Sequence, residues 1–139
     1  MLRDQSTGGS DGHMKSITFT IPYPRCKGFS KMYSLNAIYA GKSPWQRRRD
    51  AEFWHTLTRA SLSKQGIRRG PFSRPVEIIF LWNDRLDCSN HAYIAKMIED
   101  ALRGCLIVDD SRKYVRRIVH EFHEDREIRV IVRESNGKD

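Results

Sequence analysis

Four aspartates stand at the two places in this chain where chemistry would be easiest to build. Asp84 and Asp87 lie in "NDRLDCSN", directly after an apolar run, and Asp109 and Asp110 lie in "IVDDS". Carboxylates brought close together repel one another or take up protons unless a cation lies between them. Mg²⁺ suits such oxygen ligands, because it binds one or two protein carboxylates together with water and phosphate oxygens. The pattern therefore points to a magnesium site that serves phosphodiester chemistry.

The same residues also have a purely structural interpretation. Asp87, Ser89 or Asn90 can cap the helix that follows them, and the "DDS" at 109–111 is a typical turn sequence. On spacing alone, the cap and the turn are favoured over the metal site.

The other residues that could do chemistry form weaker patterns. His55 and His91 have no evident acid or nucleophile partner, so the sequence does not favour a catalytic triad. The "HEFH" run at 120–123 would point its two histidines to opposite faces of a strand, and we expect a hairpin end there. Three cysteines form no C-x-x-C pair, which predicts reduced thiols and no zinc site: Cys26, Cys88 and Cys105.

The chain is basic, with a formal net charge of +8. Lysine and arginine in such excess favour a polyanionic partner, since they neutralise phosphates and release counterions. Arg47, Arg48 and Arg49 stand near the start of a predicted helix, where cations oppose the helix dipole. With Lys42 and Arg59 they predict a phosphate-contacting face; a merely solvated face is an equal alternative.

The elements that position these residues follow from hydrophobic periodicity. The alternating stretch 16–22 predicts a strand, and a loop follows it up to about residue 42. Ser43 as N-cap and Pro44 at the first helical position open a helix that Gly66 ends. One face of that helix carries the predicted core positions: Phe53, Trp54, Leu57, Ala60 and Ser61.

The second half of the chain completes an α+β fold. Residues 74–82 are almost continuously apolar, which predicts a central strand covered on both faces. A second helix is expected over 90–103, and two strands over 114–122 and 126–134 form a predicted hairpin. The element order β-α-β-α-β-β predicts a mixed sheet with two helices packed on it.

Length and composition set the remaining expectations. The 139 residues suit one domain, and no stretch is apolar enough to span a bilayer. No signal peptide opens the chain, so we expect a cytoplasmic protein with no membrane partner. Residues 1–13 are rich in glycine and serine and predict a disordered leader or an expression scar. The folded domain is expected over 14–139.

One longer stretch, "DCSNHAYIAKMIEDALRGCLIVDDSRKYV", resembles the signature of the RusA family of Holliday junction resolvases. The resemblance extends more loosely from "SITFTIP" through "SLNAIY" to "IRVIV". It implies a RusA-like endonuclease domain over 14–139, which forms a homodimer and resolves four-way DNA junctions by paired nicking. The implied cofactor is Mg²⁺, with Mn²⁺ as an alternative.

The resemblance assigns roles to individual residues. Asp87 matches the first catalytic aspartate, Asp110 the third, and Asp109 its acidic neighbour, so these three are the implied metal ligands. Lys96 matches the catalytic lysine. Arg85 lies close to the position of a basic residue beside the first aspartate, and it is an implied DNA contact.

Two departures from the family pattern bear on activity. Ser89 stands where the family has its second aspartate, so Ser89 and Asn90 can support a metal-bound water but add no charge. Lys96 lies six residues after Asn90, whereas the family spacing is commonly three. Two rivals therefore stand beside the resolvase: a non-catalytic branched-DNA-binding protein with the same fold, and a nuclease for another DNA structure.

Overall fold

A computed structural model describes residues 15–68 and 70–135, so the predicted leader at 1–13 lies outside the described residues. The elements are β1 (Ser16–Ile21), α1 (Phe29–Tyr33), α2 (Leu35–Tyr39), α3 (Pro44–Lys64), β2 (Val76–Trp82), α4 (Ala92–Leu102), β3 (Val115–Phe122) and β4 (Ile128–Glu134). A short 3₁₀ helix, Cys88–His91, precedes α4. In the described part of the chain, no helix has the length and apolar character needed to cross a membrane.

The four strands form one mixed sheet in the order β1-β4-β2-β3. β4 is antiparallel to both of its neighbours, and β2 and β3 are parallel. The mixed sheet of an α+β fold is confirmed, but the predicted hairpin is wrong because β2 lies between β3 and β4. The segment from β2 through α4 to β3 is a crossover connection, which returns the chain in the same direction and makes the two strands parallel.

The predicted loop before α3 is also wrong, because it contains the short helices α1 and α2. The Ser34 hydroxyl accepts a hydrogen bond from the backbone N–H of Ala37 at 3.2 Å, which caps α2. Phe29 and Tyr33 of α1 pack edge-on against Trp54 of α3, at centroid distances of 6.4 and 5.4 Å. The segment therefore folds because its aromatic rings complete the core.

The start of α3 is as predicted, but part of its buried face is not. Ser43 and Gln46 form a reciprocal capping box, and Pro44 occupies the first turn. Phe53 and Ala60, which were expected in the core, lie on the exposed side. The buried positions follow a helical period that starts one residue later: Trp54, Thr58, Ser61 and Leu62.

The core lies between the helices and one face of the sheet. Alternate residues of the strands enter it, including Phe19, Ile78, Phe80 and Val130. The opposite face of β2 is not covered as predicted, since Ile79 and Leu81 are only half-buried there. On that face Glu77 contacts Arg133 of β4 and lies 3.3 Å from Nη1 of Arg117 on β3. Paired charges on three adjacent strands thus occupy positions where an apolar covering was expected.

Candidate functional site

Lys96 is the centre of a polar group on the outer side of α4. Ile94, Met97 and Ile98 are buried, which turns Lys96 towards the surface. Its amino group contacts the carboxylate of Asp110, 14 residues further along the chain in the loop before β3. The structure therefore brings together the lysine and one of the aspartates to which the family resemblance gives catalytic roles.

A second carboxylate, Asp100, lies one helical turn after Lys96, with 3.2 Å between its Oδ1 and the amino group. Arg103 adds a second cation: its Nη1 lies 3.8 Å from Oδ1 of Asp109 and 3.9 Å from Oδ1 of Asp110. Leu106, in the loop between, is buried and anchors that loop to the core. The aspartates of "IVDDS" thus already lie beside positive charges supplied by α4 and its C-terminal end.

These groups shift one another's ionisation. The hydrogen bond from Lys96 lowers the pKa of Asp110 below its ordinary value. Burial alone would lower the pKa of Lys96, but its hydrogen bonds with Asp110 and Asp100 raise it overall. Burial raises the pKa of Glu99 by more than the nearby charge of Lys96 lowers it. At neutral pH the group therefore keeps a cationic lysine beside an anionic Asp110.

Asp87 stands apart from this group. It is the N-cap residue of the 3₁₀ helix, and the Asn90 N–H donates to its backbone carbonyl oxygen at 3.0 Å, but its side chain makes no capping hydrogen bond. Arg85, Asp87 and Ser89 are exposed, and Asn90 is half-buried. Among the described contacts, no hydrogen bond or ion pair joins the Asp87 carboxylate to Asp110. Asp87 is therefore accessible, and within the described part of the chain its carboxylate has no hydrogen-bond or ion-pair partner.

Asp84 has a different environment, because its side chain is almost fully buried. Its Oδ1 lies 2.7 Å from Nε2 of His91 and accepts the Leu86 N–H at 3.0 Å, and its Oδ2 accepts the Tyr23 hydroxyl at 2.8 Å. Burial alone would raise the pKa of Asp84, but the bonds from His91, Tyr23 and Leu86 lower it overall. The sequence did not reveal an acid partner for His91, and the structure corrects that.

The His91 ring is packed as well as hydrogen-bonded. It stacks on Trp82 with 4.2 Å between centroids, and its Nδ1 lies 3.1 Å from the Cys88 carbonyl oxygen. Trp82 in turn donates from Nε1 to Nδ1 of His120 at 3.0 Å. Burial, and secondly the charge of His91, lower the pKa of His120. These contacts fix the end of β2 and the start of α4, on either side of Asp87.

The two histidines of "HEFH" have separate roles. His120 joins the ring cluster, while His123 lies just after β3 with its Nε2 2.7 Å from the Glu127 carbonyl oxygen. The turn there connects β3 to β4 across β2, so it is not the end of a hairpin.

The predicted DNA-contacting residues in α3 and just before it divide into two groups. Arg47, Arg48 and Arg49 are exposed. Lys42 is enclosed, with 10% of its side chain exposed: its amino group contacts Asp50 and donates to the Met32 carbonyl oxygen at 2.6 Å. The arginines are therefore available to a polyanion, whereas the charge of Lys42 is balanced inside the protein.

The carboxylates of Asp109 and Asp110 suit Mg²⁺ in kind and in accessibility. They are hard oxygen ligands on adjacent residues, and 46% and 21% of their side chains are exposed. The described residues contain no group of three His, Cys, Asp or Glu side chains arranged to hold a metal. Proteins usually supply only one or two carboxylate ligands to Mg²⁺, so these two are enough. Water and substrate phosphates complete the octahedral coordination.

Comparison with known proteins adds no relative: the chain matches no protein-family model and no curated protein. The resemblance to RusA-type resolvases therefore depends on the residues quoted above.

Proposed function

We propose that this protein is a Mg²⁺-dependent DNA endonuclease that nicks four-way junctions. The observation that carries the proposal is the contact between Lys96 of α4 and Asp110 of the loop before β3. A lysine touching a carboxylate on an exposed surface, with a second carboxylate next to it in the chain, supplies the groups that phosphodiester cleavage uses.

The residues would divide the work in the following way. Asp109, Asp110 and Asp87 would hold the metal. When bound, Mg²⁺ supplies charge neutralisation at the phosphate and activation of water. Lys96 stabilises negative charge on the phosphate or leaving oxygen, and its raised pKa keeps it cationic throughout the neutral range. Ser89 and Asn90 lie on the same short segment as Asp87 and can orient a water.

DNA binding would come from the exposed arginines. The run 47–49 on α3 and Arg85 beside the 3₁₀ helix can contact phosphates of the junction arms. A two-fold homodimer would present equivalent sites to the two equivalent strands of a junction, which paired nicking requires. The three cysteines are free thiols, which suits the cytoplasm.

One observation favours the non-catalytic rival, a branched-DNA-binding protein. Asp110 is already neutralised by Lys96 and Arg103, so the carboxylates need no metal to offset their repulsion. Ser89 also leaves the segment one charge short of the family pattern. A nuclease for another DNA structure would use the same residues and differ only in its substrate.

A nicking assay separates these functions. The substrates are a mobile four-way junction, a linear duplex and a single strand, each tested across a Mg²⁺ titration. We expect Asp110→Asn and Asp87→Asn each to abolish junction nicking, while gel shifts in EDTA show binding unchanged or tighter, because each variant removes a charge that repels DNA. Asp125→Asn is the matched control, since Asp125 is an exposed aspartate in the turn after β3.

Three results of the nicking assay distinguish the proposed functions. Nicking at wild-type rates in both site variants contradicts the metal assignment. Binding of the junction without cleavage at any Mg²⁺ concentration supports the non-catalytic rival. Cleavage that prefers the duplex or the single strand keeps the site and changes the substrate.

A further inference from the structure

A groove of about 520 Å³ opens between the short helices α1 and α2 and the first turn of α3. Its polar lining includes Lys27, Lys31 and Gln46, and its apolar lining includes Met32, Ala37 and Ala40. The volume lies within the range of sites that hold nucleotide-sized ligands. The groove adjoins the arginine run 47–49 of α3, but its lining includes none of the residues proposed for cleavage, Lys96, Asp109 and Asp110.

The electrostatics of the groove favour an anion. Among the described residues, no aspartate or glutamate lines it. Lys42 also lines it, but its charge is already balanced by Asp50. Within residues 15–68 and 70–135, Lys27 and Lys31 have no ion-pair partner. Cations in a concave surface concentrate counter-ions, and lysines of this kind can neutralise the phosphates of a nucleic acid.

Two large exposed aromatic residues are next to lining residues in the sequence. Trp45 precedes Gln46 and is 61% exposed, and Tyr39 precedes Ala40 and is 79% exposed. The Arg49 guanidinium lies 4.8 Å from the centre of the Trp45 ring, which adds a positive charge next to it. Neither aromatic ring belongs to the hydrophobic core. Proteins that bind single strands combine a basic groove with aromatic rings on which bases stack.

We propose that this groove binds an unpaired strand of nucleic acid, whose phosphates contact Lys27 and Lys31 while a base stacks on Trp45. This site goes beyond the proposed nuclease function, since the arms of a four-way junction are paired and offer no free base to Trp45. It does not depend on whether the protein cuts DNA.

Tryptophan fluorescence can report on Trp45 alone. Trp54 and Trp82 are fully buried, so a stacking base can quench only Trp45. We expect oligo(dT) of about 15 nucleotides to quench this emission saturably in EDTA. Anisotropy of a labelled oligo(dT) should show binding about 5- to 100-fold weaker in Trp45→Ala, as loss of one stacked base implies, with partial recovery in Trp45→Phe.

The lysines are tested by salt dependence. Replacing both Lys27 and Lys31 with Gln should reduce the slope of log affinity against log salt by about 1.4, at about 0.7 per lost contact with a single strand. Lys64→Gln is the matched control, because Lys64 is exposed at the C-terminal end of α3, whereas only the first turn of α3 contributes to the groove. Tripolyphosphate should displace the oligonucleotide from the wild-type protein without quenching Trp45 by itself.

Several results would overturn the site. Two concern Trp45: oligo(dT) that binds by anisotropy but does not quench the emission, and an affinity that is unchanged in Trp45→Ala. The other two are a double lysine variant with the same salt slope as Lys64→Gln, and a duplex of the same length that quenches as strongly as oligo(dT). The binding titrations need neither Mg²⁺ nor cleavage, so they test this site even if the nicking assay shows no activity. Conversely, a fully paired junction should still be nicked by Trp45→Ala if the nuclease proposal holds.

Discussion

Replacing Asp84 with alanine removes the acceptor that holds three elements at one end of the sheet. Asp84 binds the His91 ring at the start of α4, the Tyr23 hydroxyl after β1 and the Leu86 N–H after β2. The His91 ring is fully buried, so its Nε2 would be left without a partner and without water. Asp84→Ala should therefore destabilise the protein rather than only alter a surface charge.

The expected magnitude follows from the type of contact. Three hydrogen bonds to a charged acceptor, at about 1.5–3 kcal/mol each, set an upper limit of about 5–9 kcal/mol. The neighbours relax in part, and the buried donors of His91 and Tyr23 that lose their acceptor cost about 1–3 kcal/mol each, so we expect a loss of about 3–5 kcal/mol. At about 3–5 °C for each kcal/mol in a chain of this size, the melting temperature should fall by roughly 10–20 °C.

Urea unfolding followed by circular dichroism at pH 7 measures the loss. Asp109→Ala is the control, because that aspartate is about half exposed and its ion pair with Arg103 is 3.8 Å long. We expect the control to lose less than about 1 kcal/mol. Equal losses in the two variants would refute the assignment of Asp84 as a buried structural carboxylate.

At acid pH, the wild-type protein should lose the extra stability that it has over the Asp84→Asn variant. The pKa of the folded Asp84 lies below its ordinary value, so its carboxylate contributes stability above the unfolded pKa, about 4. That contribution is lost as the pH falls through the folded pKa. The stability gap between wild type and Asp84→Asn should therefore close below about pH 4, and a constant gap would contradict the shift.

Three further changes test other parts of the structure. Replacing the arginine run 47–49 with alanine should reduce the slope of log junction affinity against log salt by about 0.9 per lost phosphate contact. An unchanged slope would show that these arginines are only solvated. Ser89→Asp should raise nicking at low Mg²⁺ in a metal titration; an unchanged titration midpoint would contradict the idea of a weakened site. Gly70→Ala would place its Cβ 2.0 Å from the Cys105 carbonyl oxygen at φ +126°, and should cost more than about 1 kcal/mol in urea unfolding. Gly41→Ala, with open space around its Cβ, is the comparison for that loss, and equal losses would show that the clash at Gly70 has no effect.

The features that could be predicted from the sequence are those with a local physical signal. Ser43, Pro44 and Gln46 lie within one turn, and their capping chemistry indicates where α3 begins. The period of apolar residues predicted α4 and placed Lys96 on its polar side. Asp110 follows only 14 residues later, so the loop after α4 can bring it back to Lys96.

The features that could not be predicted depend on distant parts of the chain. The short polar stretch between β3 and β4 has the composition of a hairpin turn, but β2 lies between the two strands, and local composition does not encode that choice. Tyr23 and Asp84 are 61 residues apart, and their hydrogen bond has no sequence pattern. The helices α1 and α2 are shorter than the window in which periodicity can be recognised.

The position of β4 also has a consequence during synthesis on the ribosome. Of the described strands, β4 is the last to be made, yet it lies inside the sheet between β1 and β2. Among these strands β1 pairs with β4 alone, so β1 waits without a partner until β4, residues 128–134, has left the exit tunnel. A nascent chain that stops before residue 128 would leave edges of both β1 and β2 unpaired, which are surfaces prone to aggregation. The described sheet therefore cannot form strand by strand in chain order, because β4 must insert between β1 and β2 to complete it.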